Sequence, residues 1–501
     1  MNRQLLHGLA ATDQLVIIVP LLIPLFNMLI IKLGRHMPGM RDMLTLLLAG
    51  LLWFDLCMLM DFLLHSGVSP TQHIPLFPGL VLAFKATPLG LYTAGVIAAL
   101  WGAVSLYLSS YIQPSHHRDS GDIYYPLLLW VSATMGIALS DNLLTLFLFS
   151  LLAMGTGARP ISLPSNTSHA IVKNYSLAAV ILSAIFLLPV MIWLMLQGDG
   201  SHFGIDHFDS NGMIDTNNQA IAVSLMLFLL ISGLVIAPFL PLYHLLTRKI
   251  VTIQLFLPFS ALTAGLIALL KAVIYIFGLD YLQHISAPNL PYFSWSSLIS
   301  CFIILLFSVM ALREERLLQR LGKLTVIQLA MFMLAICLFT INGVIIALLQ
   351  LVAAGTALAV LFFATGVYST ALPTSVKIVD MAGIGRRHPW ILAAFTLASL
   401  SLAGLPLTIG FMVKYTLLSL LFKQQLIPAA LVLATATLLN GLSLLQIIIE
   451  LSLPNTQQLP LFCKVPLIMR SVTILMALIL LAMVGEFGYL SLWLEHLMVN
   501  L

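Results

Sequence analysis

The chain alternates long apolar runs with short polar breaks, and the runs have the length a bilayer requires. About 20 apolar residues of helix cover a hydrocarbon core ~30 Å thick. On that template the sequence divides into about fourteen spans, at 14–33, 43–64, 87–112, 124–140, 142–158, 170–196, 219–246, 255–279, 295–312, 325–341, 343–368, 391–421, 427–451 and 468–493. The pattern predicts an all-α polytopic membrane protein. Connections are short except 198–218 and 280–294. The first run follows the N-terminal segment without a small-residue cleavage site and reads as a retained span. No tail follows the last run that could hold a nucleotide, flavin or iron–sulfur cluster, so no cofactor is expected.

Two runs are interrupted. Span 7 carries Gly233, Pro238 and Pro241, and span 12 carries Gly404, Pro406 and Gly410. Proline removes a backbone donor and clashes with the preceding turn. Backbone groups freed at bilayer depth must be satisfied by protein or water. The two runs lie five spans apart, hence in opposite orientations, and paired interrupted spans point to inverted repeats with a site between them. The expected organisation is an N-terminal group at 1–113, a first five-helix repeat at 124–279 (spans 4–8), a second, inverted repeat at 295–451 (spans 9–13) and a C-terminal helix at 468–501.

Composition agrees with this reading. Of 501 residues 60% are hydrophobic and only 8% charged, with a mean hydropathy of +1.06, whereas a soluble chain carries about 25% charged residues. The net charge of +4 comes without a basic block, so nucleic acid is not an expected partner. Lys and Arg gather in alternate connections, as in Arg35 and Arg41, Arg248 and Lys249, Arg313 to Lys323, and Arg386 and Arg387. By the positive-inside rule those connections are cytoplasmic and both termini lie outside, in an inner (cytoplasmic) membrane. The four cysteines are scattered, without the spacing of a metal site or disulfide framework.

Against this background a charge inside a run is informative, because an ammonium at the bilayer centre costs about 2.5–3.5 kcal/mol even on an insertion scale. Lys414 follows the Gly–Pro break of span 12, and Lys271 sits in span 8 with apolar flanks. Each is a candidate for an ion path; each could also be a lysine capped by carbonyls that orders the bundle. Tyr275, one turn beyond Lys271, and Thr408 and Tyr415, around Lys414, could share a hydrated relay, although lone hydroxyls in helices more often bond their own backbone. Asp55 lies near the middle of span 2 and must be neutral or paired. His244 ends span 7 and could switch a proton relay or anchor the interface. The cluster Arg313, Glu314, Glu315, Arg316, Arg320 and Lys323 reads as a solvated helix end.

The run Leu400-Ser401-Leu402-Ala403-Gly404-Leu405-Pro406 through Gly410-Phe411 to Lys414 resembles span 12 of the antiporter-like subunits of proton-pumping NADH:quinone oxidoreductase, Mrp-type antiporters and membrane-bound hydrogenases. Gly383 to Pro389, Ser260-Ala261-Leu262 with Lys271 and Tyr275, Gly136 with Ser140 to Leu144, and Tyr107 with Tyr111 are similar to the same family. The resemblance implies fourteen spans, inverted five-span repeats, broken helices 7 and 12, and lysines at 271 and 414 on a hydrated axis. It also exposes departures. Ser150-Leu151 stands where the family has Trp-Glu, Ile236 where it has a lysine before Ala237-Pro238, and Tyr243 where it has a His; span 11 carries neither His nor Lys.

The expected function is therefore ion translocation, of protons first, by a membrane subunit of a larger complex with a degenerate input half-channel. Its partners would be the lipid bilayer and other membrane subunits. The alternatives are a non-conducting structural subunit and the membrane partner of a cytoplasmic enzyme in energy-coupled inorganic-carbon uptake. Any enzymatic role would be as a translocase or oxidoreductase subunit without a redox centre of its own.

Overall fold

Proline and glycine punctuate the chain where its helices start and stop. The computed structural model describes residues 16–34, 37–77, 80–111, 121–157, 166–197, 220–239, 256–285, 294–369, 377–454 and 465–499. Helix α1 (Val19–Leu33) precedes α2 (Pro38–Ser66), which opens on Pro38 and closes on Gly67 at φ 65°, whose N–H returns to Leu63 O. A proline in the first turn and a left-handed glycine after the last are the ordinary start and stop of a helix. The same device frames α14 (Pro389–Ala403), closed by Gly404 at φ 74°.

Between these lie α3 (Pro88–Tyr111), α4 (Gly121–Leu139), α5 (Leu143–Gly157) and α6 (Asn166–Gln197). Helix α7 (Ala220–Ile231) runs into a π-helical turn (Ser232–Ile236), and α8 (Phe256–Lys271) into a second (Ala272–Phe277). The short α9 (Leu279–Ile285) is followed by α10 (Ser294–Arg313), α11 (Leu317–Ile336), α12 (Ile341–Ser369) and the one-turn α13 (Ile384–Arg387). After α14 come α15 (Ile409–Lys423), α16 (Ile427–Ser452) and α17 (Leu467–Val499). Among the described residues, nine of these helices are long and apolar enough to cross a membrane. The chain is an all-helical, multi-pass membrane protein, with one small exception.

Helix α12 is the axis of the bundle. Its most apolar stretch is wholly buried, enclosed by α3, α11, α14, α15 and α17. Tyr107 of α3 stacks on Phe363 at 4.3 Å and donates its hydroxyl to Phe363 O at 2.9 Å. Gly366 makes room for it: a Cβ there would meet that hydroxyl at 2.0 Å. On the rim, α2, α6, α16 and α17 turn large apolar side chains outward, among them Phe54, Ile181, Leu438 and Leu478.

Two features depart from the expected layout. Residues 71–85, expected as a connection, form an antiparallel hairpin of β1 (Thr71–Phe77) and β2 (Leu80–Lys85), paired from Thr71↔Lys85 to Phe77↔Leu80 with an irregularity at Pro75. A lone hairpin is marginal in water; this one is held by its dock. Asp141 N donates to Ala83 O (2.9 Å), Ala83 N to Thr145 Oγ1 (3.0 Å) and Asn142 Nδ2 to Val81 O (2.7 Å). The interruption expected within the run 391–421 is present: the run is two helices, with residues 404–408 between them. Second, α11 starts at Leu317 rather than 325, and Arg320 is 5% exposed instead of solvated. Its guanidinium is satisfied internally by Glu314 O, Leu312 O, Ser443 O and Gln446 Oε1, as the fixed fork of an arginine allows.

Candidate functional site

Both candidate lysines are buried, and both end on the carbonyls of a terminating helix. Lys271 is 1% exposed. Its Nζ donates to Ala138 O (2.9 Å), Ser140 O (2.6 Å) and Ser140 Oγ (3.2 Å), where α4 ends and the turn toward α5 begins. The Tyr275 ring lies 5.9 Å from the ammonium. Lys414, 6% exposed, crosses from α15 to the end of α14, where Leu402 O accepts its ammonium. Helix C-termini carry partial negative charge and unpaired carbonyls, so each ammonium sits where a cation is favoured.

The two sites differ in saturation. Oxygen acceptors surround the Lys271 ammonium. The Lys414 ammonium has Leu402 O as its one hydrogen-bond acceptor among the described residues, although an ammonium offers three donors. The break that positions it depends on two glycines. Gly404 holds φ 74°, and a Cβ there would meet Lys414 Cδ at 2.9 Å; at Gly410 a Cβ would meet Ser401 O at 1.9 Å. Ser401 Oγ accepts from Gly410 N at 3.2 Å, tying the two half-helices together.

The remaining candidates fall out as follows. Thr408 caps α15: its Oγ1 accepts from Phe411 N (3.3 Å) and donates to Leu405 O (2.6 Å). Pro406 is exposed in the break, and Tyr415 points outward. Pro238 is buried, two residues past the π turn of α7. Asp55 is half-buried on α2 and makes no contact with either lysine. His244 and Pro241 lie outside the described residues. Glu314 pairs with Lys323 at 2.6 Å. Outside the spans Lys377 pairs with Glu315 at 2.8 Å, which lowers the pKa of the carboxyl and raises that of the ammonium.

Sequence reasoning missed an amide pair. Gln350 of α12 donates Nε2 to Gln328 Oε1 of α11 at 3.1 Å, both buried. With Thr263 they line a cavity of about 10 Å³, about the least that a water needs. Two glutamines inside apolar runs were the available signal. Gln350→Leu is expected to cost ~1–2 kcal/mol by orphaning its partner, and adding Gln328→Leu to recover part of that; thermal unfolding in detergent of both single variants and the double one checks it. Next to this polar cell lies an apolar cavity of about 30 Å³, lined by Ile236, Phe239, Leu262, Ile303 and Met333 among others.

The profile of the family described as "NADH:quinone oxidoreductase/Mrp antiporter, TM" matches residues 140–440, well over half of the chain. The chain belongs to that family. Among curated relatives, NADH-quinone oxidoreductase subunit N of Desulforudis audaxviator is 24% identical over 64% of this chain, and the protein of the same description from Flavobacterium psychrophilum is 29% identical over 45%. The matches span 63% and 49% of those relatives' own lengths, less than two thirds of either. Solved structures share the fold. A chain of the Mrp complex from Dietzia sp. superposes with TM-score 0.73 at 17% identity, covering 98% of this chain and 51% of that one. A chain of respiratory complex I from Thermus thermophilus gives 0.69 at 15%, covering 94% and 98%. A chain of an archaeal membrane-bound sulfane sulfur reductase gives 0.75 at 13%, covering 93% and 75%.

Proposed function

We propose that this antiporter-like protein is a proton-conducting membrane subunit of a larger complex, with Lys414 and Lys271 as its titrating stations and a reduced input half. The observation that carries the reading is the Lys414 ammonium, buried at a mid-span helix break with donors to spare. A fixed charge at that depth persists where it serves an ion path. In this reading the chain crosses the membrane fourteen times, with both termini outside, and the π turn of α7 and the α14–α15 break are the corresponding interruptions of two inverted five-helix repeats.

The reduction of the input half has support in what replaced the family's charged groups. Ser150 turns its hydroxyl onto Leu146 O of its own helix at 2.6 Å. Ile236 lines the apolar cavity rather than a polar one, and apolar cavities stay dry. Membership of a complex has support from the break itself. Leu405 and Leu407 are 46% and 82% exposed beside irregular backbone, and such backbone at membrane depth does not face lipid. A neighbouring membrane subunit over this face would cover it.

A second reading, a subunit that keeps the fold without conducting, draws on the saturated cradle of Lys271. Flux separates the two. In vesicles carrying the intact complex, Lys414→Gln and Lys271→Gln are each expected to reduce proton flux about tenfold or more, the effect of raising a barrier by ~1.4 kcal/mol. Undiminished flux in the double variant overturns conduction by this route.

A further inference from the structure

Cations at one end of the bundle fall into two groups. In the first, charge is balanced inside the chain: Lys323 pairs with Glu314 and Lys377 with Glu315. The second group is built differently. Arg386 and Arg387 end α13, and Arg470 lies in the first turn of α17; all three are exposed. Neither Arg386 nor Arg470 has a carboxylate partner among the described residues. Arg386 gives its Nε to the backbone, to Ser452 O at 2.6 Å.

The fold draws this second group together from distant parts of the chain. Gly383 N donates to Glu450 O at 3.1 Å and pins α13 to the end of α16, while α14 packs along α17. Met469, Val472 and Thr473 of α17 are buried, so Arg470 is left on its outer side. His388, between α13 and α14, lies within reach of both Arg470 and Arg387. Burial, and then these two positive charges, hold its imidazole below the ordinary pKa. The same corner is the start of two helices. Neither α14 nor α17 has an acidic residue in its first turn, and His388 makes no capping hydrogen bond. The N-terminal end of a helix favours anions and disfavours cations, so Arg470 is well placed only beside a bound anion.

Large apolar side chains stand out within a turn of these cations. Trp390 is 74% and Leu467 79% exposed, with Ile468 beside it. Tryptophan at the end of a span belongs at the level of lipid headgroups. A soluble anion needs only the arginines; the apolar neighbours fit a molecule that is anionic at one end and apolar at the other. We propose that Arg387 and Arg470, around His388, hold the phosphodiester of an anionic phospholipid whose acyl chains lie over Trp390 and Leu467. The planar fork of arginine suits phosphate oxygens. The bound lipid would join α13 to α17, and the site does not rest on conduction.

Brominated acyl chains quench a tryptophan they touch. The full chain in detergent micelles is titrated with phosphatidylglycerol or phosphatidylcholine, each brominated near the headgroup, and the share of Trp390 is the difference from Trp390→Phe. Half-quenching of that share is expected at a mole fraction about tenfold lower for phosphatidylglycerol, from two basic residues at one anionic headgroup. Arg387→Gln and Arg470→Gln should each raise that mole fraction about fivefold. Arg470→Lys should stay close to the unchanged chain, and Lys423→Gln, exposed at the far end of α15, should match it. Equal quenching by the two lipids overturns the site, and because Trp390 reports it in the unchanged chain, that result decides even where a glutamine variant fails to fold. A preference for phosphatidylglycerol that survives in both folded glutamine variants also overturns it. Displacement of the brominated lipid by an equal concentration of inorganic phosphate would mark a soluble-anion site and overturn the lipid assignment.

Discussion

Lys271→Met is expected to destabilise the protein by ~3 kcal/mol or more, and Lys414→Met by only ~1–2 kcal/mol, although both delete one buried ammonium. The difference follows from what each leaves behind. At 271 the change strands Ala138 O and Ser140 O in a site closed to solvent, while Ser140 Oγ keeps its bond to Ile137 O. An orphaned buried acceptor costs about 1–3 kcal/mol, partly offset because the desolvated charge is gone too. At 414 one carbonyl, Leu402 O, loses its donor. The loss at 271 also spreads. The same turn carries Asp141 N to Ala83 O and Asn142 Nδ2 to Val81 O, so loosening it releases the hairpin from the bundle. Thermal unfolding of the purified variants in one detergent measures the ranking; equal losses, or a larger one at 414, would remove the argument that Lys271 is a cornerstone of the fold as well as a charge. The comparison bears on function, because lost flux in a Lys271 variant counts for conduction only if the folded fraction is matched.

Much of this architecture was legible because a bilayer simplifies the code. Helix length is fixed by thickness, so apolar runs alone located the helices, and the Gly404–Pro406–Gly410 pattern located the α14–α15 interruption. Lys271 and Lys414 stood out because charge is rare in such runs. What escaped depends on long-range contacts. The hairpin at 71–85 is held by side chains and backbone of residues 140–145, distant in sequence. Arg320 read as a surface charge because two of its acceptors, Ser443 O and Gln446 Oε1, come from α16, 123 and 126 residues away in sequence. Gln328 and Gln350 are ordinary polar residues until α11 and α12 bring their amides within 3.1 Å.

Gly410→Ala is expected to cost about 3 kcal/mol, at the upper end of what overpacking a close contact does, and to be the most damaging of three glycine-to-alanine changes around the break. A Cβ at 410 would lie 1.9 Å from Ser401 O and 2.8 Å from its carbonyl carbon. Both atoms are backbone of α14, so relief requires the half-helices to part, and parting them draws Lys414 away from Leu402 O. Gly404→Ala should cost less, ~1–2 kcal/mol, the penalty of a left-handed non-glycine residue, since the atom its Cβ meets is Cδ of a flexible lysine. Gly441→Ala meets only Ala403 Cβ at an ordinary 3.7 Å, and alanine is the better helix former by about 1 kcal/mol, so that change should be neutral or stabilising. Unfolding temperatures in the order 441, 404, 410 from highest to lowest are the expected result. If Gly410→Ala unfolds no lower than Gly441→Ala, the half-helices are not in backbone contact, and Lys414 is held by something other than the end of α14.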